Sequence, residues 1–182
     1  MRYKWWIIIS TGLFSIGMAF GLAVPVSTGN ILSEELFYLE ELAKLLEPFK
    51  ASTAAFIFFK NISAVLVSFM FSPLLCLLPI LTLTFNGFLL SFISVAVIKE
   101  NSLGLLVAGL LPHGIFEIPA LIIGEAAALS FGSMIIIAVF SKQSRGRLPA
   151  HLKLSLRYML LSFALLVPAA IIETFVTPLF LN

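Results

Sequence analysis

The chain contains no aspartate, so its nine acidic residues are all glutamates, thinly spread over 182 positions. Charged residues make up only 11% of it, against about a quarter in a typical soluble domain. That scarcity excludes an ordinary water-soluble fold. There is one cysteine, Cys76, inside an apolar run. A disulfide framework is therefore excluded, and Cys76 is expected to serve as a small apolar residue, packed or lipid-facing. No glycine-rich nucleotide loop or phosphate-binding lysine-serine pair is present, which removes the common nucleotide-hydrolysing class. Serines such as Ser130 and Ser133 have no histidine at helical spacing, and His151 lies in a basic stretch, so a serine-protease arrangement has no support. The net charge of +2 gives no reason to expect a nucleic-acid partner.

What the chain has in abundance is hydrocarbon: 60% of residues are hydrophobic and the mean hydropathy is +1.12. Uncharged runs such as Trp5 to Val26 and Asn61 to Ile98 exceed what a small soluble core can hide, so a lipid bilayer is the expected solvent. The start, Met1-Arg2-Tyr3-Lys4, with Gly21-Leu22-Ala23 further on, imitates a secretory signal. The apolar run is long enough to span, and Trp5 and Trp6 suit an interfacial belt, so a first transmembrane helix is expected. Gly17 and Gly21, four apart, put two small residues on one face. Arg2 and Lys4 assign this end to the cytoplasmic side of the cell membrane.

Residues 27–50 form an extracytoplasmic amphipathic segment. Ser33 with Glu34 and Glu35 reads as an N-cap with first-turn acids, Leu36, Leu39, Ala43 and Leu46 recur at helical spacing, and Pro48 ends the run. A second helix is expected from Ala51 to Phe71, a turn at Phe71-Ser72-Pro73, and a third helix from Leu74 to Ile98 with Pro79 kinking its start. Lys99-Glu100-Asn101 marks an outer turn. Residues 141–157 hold Lys142, Arg145, Arg147, Lys153 and Arg157, a basic cytoplasmic loop. Between them a short surface or re-entrant helix, Ser102 to Leu111, is expected to break at Pro112-His113-Gly114 before a long span to Phe140. A last span runs from Tyr158 to Phe180 with Pro168 inside. The expected fold is all-α: a single membrane domain, 1–182, forming a polytopic transmembrane bundle of about five spans, with an outer amphipathic helix and a broken or re-entrant helix.

Ionisable groups inside spans cost roughly 2.5 to 3.5 kcal/mol each on insertion scales, so each calls for a reason. Lys60, His113, Glu117, Glu125 and Glu173 are the ones to explain, together with the neutral amides Asn61 and Asn86. Lys60 can snorkel, and Glu173 lies near the outer end of its span, where water reaches it. His113 and Glu117 are four apart and share a helix face. They read either as mutual partners that steady a broken helix or as a metal or proton site, with a metal ion bound by His113 and Glu117. Glu125 lies two turns further on, so both carboxylates face the bundle interior, with Lys60 a buried partner for one of them. Around it, Gly124, Ala128 and Gly132 form a small-residue face for close packing, within the subunit or across a homodimer.

Asn61, Phe85-Asn86-Gly87, and Pro112-His113-Gly114-Ile115-Phe116-Glu117-Ile118-Pro119-Ala120 followed by the small-residue run to Gly132 together resemble the stage II sporulation protein M family. The resemblance spans about Phe56 to Phe140. Phe71-Ser72-Pro73 departs from it, since relatives often carry glycines after the asparagine of the second segment. The resemblance implies a multipass membrane protein without established catalysis. In endospore formers such a protein assembles with partners that include a cell-wall hydrolase and acts as anchor or scaffold. Relatives in organisms that make no spores bar transfer of the sporulation role. It also places any shared function at Asn61, Asn86, Gly87, Pro112, His113, Gly114 and Glu117. The leading expectation is a non-enzymatic scaffold or complex subunit whose partners are the bilayer and other membrane or cell-envelope proteins. Two alternatives stand beside it: a small transporter or ion-conducting protein with a His/Glu/Lys path, and an intramembrane metal-dependent hydrolase.

Overall fold

The computed structural model describes residues 3–25, 47–100 and 102–181. Within these the chain is helical: α1 (Tyr3–Ala23), α2 (Ala51–Phe71), α3 (Leu77–Glu100), α4 (Leu103–Phe140), a 3-10 turn (Lys142–Arg147), α5 (Leu148–Phe175) and the short α6 (Thr177–Leu181). Five of these helical stretches are long and apolar enough to cross a membrane, as the hydropathy predicts. In hydrocarbon each backbone N–H and C=O must be satisfied within its own segment, which makes the helix the default for such runs. The amphipathic segment expected over 27–50 lies almost wholly outside the described residues.

The bundle is organised around α4, which packs against all the other helices, most extensively α5. On one flank α1 pairs with α3; on the other, α2 pairs with α5. Small residues allow these approaches. A Cβ on Gly17 would sit 2.0 Å from the Thr84 carbonyl oxygen, and one on Gly87 would sit 2.2 Å from that of Phe14, so α1 and α3 touch backbone to backbone. The small-residue face of α4 is likewise consumed inside the subunit. A Cβ on Gly124 would meet Ser162 and Val65, and one on Gly132 the Ser72 backbone. Ala126, Ala127 and Ala128 are fully buried.

The sequence reading needs correction in four places. The first is α4. It runs without interruption through Pro112-His113-Gly114 for 38 residues, roughly 57 Å at 1.5 Å per residue, so the expected broken or re-entrant helix is one continuous helix. Pro112 and Pro119 remove one backbone donor each, and membrane helices tolerate such losses because packed neighbours hold the segment. Its start is fixed by Ser102, whose side chain accepts from the Leu105 N–H at 3.2 Å. Second, the basic 141–157 stretch is not a loop throughout, because α5 already begins at Leu148. Pro149 suits its first turn, where a missing N–H costs nothing. Third, α3 begins at Leu77, which puts Pro79 in a first turn where it fits. The preceding turn carries Leu75 and Cys76 at φ 55° and 56°, a left-handed conformation unusual for side-chain-bearing residues. Cys76 is buried there, as a packed small residue should be. Fourth, Glu125 is partnered by Ser68 and not by Lys60.

Candidate intramembrane polar site

Asn61 stands ten residues from either end of α2, so a helix rising 1.5 Å per residue carries it about 15 Å deep, near the middle of the hydrocarbon. An amide at that depth requires a partner, and it finds one on α4: its Nδ2 donates to Glu117 Oε1 at 3.1 Å. The uninterrupted helix through Pro112 brings His113 onto the same face as Glu117, with Nε2 3.8 Å from Oε2. The other ring nitrogen, Nδ1, lies 3.3 Å from Thr177 Oγ1, at the start of α6. The antiparallel register of α4 and α5 then delivers Glu173. Ligating atoms of His113, Glu117 and Glu173 all lie within 4.8 Å of one another.

Glu173 is the residue that sequence reasoning left out of this group. It was legible as an ionisable group in a span, but its partners follow only from the pairing of α4 with α5. Glu173 also interacts electrostatically with Glu117 and Lys60. Lys60 itself is exposed. The expected burial of Lys60 is thus replaced by a lysine on the exposed side of α2, near enough to Glu173 to interact with its charge.

On its other side Glu117 borders a cavity of about 170 Å³, shared with Asn86, Gly114, Phe14 and several leucines of α3 and α4. Asn86 donates to the Thr82 carbonyl oxygen at 2.8 Å and stays exposed toward this space. A Cβ on Gly114 would make only ordinary 3.8 Å contacts, so this glycine is not forced by crowding; it leaves room for the cavity. Asn61, His113 and Glu117 therefore meet in one cluster and Asn86 and Gly114 line the cavity beside it, whereas Gly87 serves the α1–α3 contact and Pro112 sits in the helix wall.

Glu125 belongs to a separate site. It is fully buried and accepts a hydrogen bond from Ser68 on α2, not from Lys60. Its second oxygen has no hydrogen-bond partner among the described residues. Glu117 and Glu125 are eight residues apart, about 12 Å along the helix. Between them lie Ala120, whose carbonyl accepts from Ser162 at 2.6 Å, and the tightly packed Gly124.

Helices of this length and hydropathy, with the few polar groups inside them paired across helices, define an integral membrane helix bundle with an internal polar site. The chain belongs to the stage II sporulation protein M family, which it matches over residues 10–178. It is also 28% identical over 173 residues to the uncharacterized protein MJ0793 of Methanocaldococcus jannaschii, covering 94% of this chain and 93% of the relative. No solved structure matches it.

Proposed function

We propose that the protein is a non-enzymatic subunit or scaffold of a membrane complex, set in the cell membrane with its N-terminus cytoplasmic. The observation that carries this reading is the division of the intramembrane ionisable groups into two sites. His113, Glu117 and Glu173 form one, and Glu125 with Ser68 the other, with close-packed Ala120 and Gly124 between them. A transport path requires polar groups in series along a wettable route. Here the stretch between the sites is packed helix, which favours a static role over conduction. The orientation rests on the basic residues: Arg2 and Lys4 at one end of α1, and Lys142, Arg145, Arg147, Lys153 and Arg157 after α4, fall on one side of a five-span chain. The partners are other membrane or cell-envelope proteins, or a second copy of this chain.

Cross-linking of the tagged protein in its native membrane, followed by purification in mild detergent, tests the reading. The expected result is one partner at fixed stoichiometry, retained in Glu117→Gln. A chain that purifies without partner, and in reconstituted vesicles conducts protons or divalent ions in a manner lost in His113→Ala, would replace the scaffold with a transporter.

A further inference from the structure

We infer that His113, Glu117 and Glu173 form a binding site for one divalent transition-metal cation, with Asn61 and Thr177 as its positioning residues. The site extends the candidate pair His113 and Glu117 by a third ligand from another helix, and it does not depend on the scaffold reading.

The donor atoms are one imidazole nitrogen and two carboxylate oxygens, the mixture that suits zinc, manganese or iron; calcium and magnesium favour oxygen alone. The atoms lie within 4.8 Å of one another. A tetrahedral zinc with bonds of about 2.0 to 2.1 Å draws its ligands to roughly 3.4 Å apart, so side-chain rotation of about an ångström closes the set.

Each of the two α4 ligands is held by its far atom. Asn61 occupies Glu117 Oε1, which leaves Oε2 turned toward His113. Thr177 engages His113 Nδ1, which leaves Nε2 turned toward the carboxylate. Metal-ligating histidines characteristically commit their second nitrogen in this way, which fixes ring and tautomer. Two carboxylates set this close together also repel each other, and one nearby lysine offsets only half of their charge; a divalent cation between them removes that repulsion. The Glu117 side chain is 35% exposed, so the ligand set is not sealed inside the packed bundle. Such an ion would pin α5 to α4 at the level where Asn61 ties in α2.

The test is zinc titration of the detergent-purified, chelator-stripped chain against a competing fluorescent chelator. The expected result is one equivalent of zinc bound, with affinity falling at least about 100-fold in His113→Ala, Glu117→Gln and Glu173→Gln and unchanged in Glu125→Gln. Thr177→Val, which touches no ligand atom directly, should weaken binding by about tenfold. No saturable binding of zinc by the wild type, or equal binding in all three ligand variants, overturns the site. An unchanged affinity in Thr177→Val overturns its positioning role. Size-exclusion profiles matching wild type show that the losses are local, and Thr177→Val keeps the proposal testable if a ligand variant fails to fold.

Discussion

Ser68 is a small residue with a large responsibility, because it supplies the hydrogen bond that Glu125 receives in the closed centre of the bundle. Leaving a buried polar group unpaired costs about 1 to 3 kcal/mol, more when it is charged. Ser68→Ala should therefore lower the thermal unfolding midpoint in detergent, whereas Ser68→Thr, which keeps the hydroxyl, should recover part of the loss. Asn61→Leu makes the same argument at the other site. It removes the donor to Glu117 and should destabilise by a similar amount, with a larger effect when zinc is chelated if the cation also restrains that carboxylate. Both effects are read as midpoint shifts, and a shift of zero in either variant would mean the amide or hydroxyl is replaced by water.

At the scale of the helix, the crossing of α1 with α3 makes the sharpest prediction. Gly17 has the Thr84 backbone where a Cβ would stand, while Gly12, five residues earlier on the same helix, has nothing within 4 Å. Gly17→Val should force the two helices apart and lower the unfolding midpoint, and Gly12→Ala should leave it unchanged. Overpacking typically costs about 1 to 3 kcal/mol, and a clash with backbone cannot be relieved by a rotamer change. The contrast also shows what was legible in the amino-acid string. Span positions follow directly from apolar run length, and α1, α2 and α3 begin and end within a few residues of where hydropathy puts them. The continuity of α4 was not legible, because a Pro-His-Gly string carries two local helix-breaking signals and their defeat depends on α5 packed alongside. Glu173 was legible only as a hydrated residue near the end of its span for the same kind of reason: its place beside His113 and Glu117 is set by helix pairing, which leaves no trace in local periodicity. Asn61, His113 and Glu117 were legible because a polar group in a greasy run is conspicuous wherever it sits.

For the molecule as a whole, the orientation proposed from the basic residues, with five crossings and a cytoplasmic N-terminus, assigns each loop to one side. Single cysteines report this directly, since Cys76 is buried and gives little background. Gly146→Cys, at a position with open space around it, should react with a membrane-impermeant maleimide only after the cytoplasmic side is opened. Gly104→Cys, at the other end of α4, should react in intact cells. The reverse pattern would invert the orientation, and reaction of both from one side would remove a crossing from α4.

The length of α4 sets a further condition on where the protein can reside. A rod of roughly 57 Å cannot fit within about 30 Å of hydrocarbon even at the steepest inclinations seen for membrane helices, about 40°. Inclined that far it still covers some 44 Å along the normal, the full depth of a bilayer including its headgroups. Its two ends must therefore lie among the phospholipid headgroups, and the exposed Phe140 at its last residue becomes an anchor in that zone. Acyl chain length then acts as a lever on the central helix, with thinner membranes demanding a stronger lean from the very element that carries His113 and Glu117.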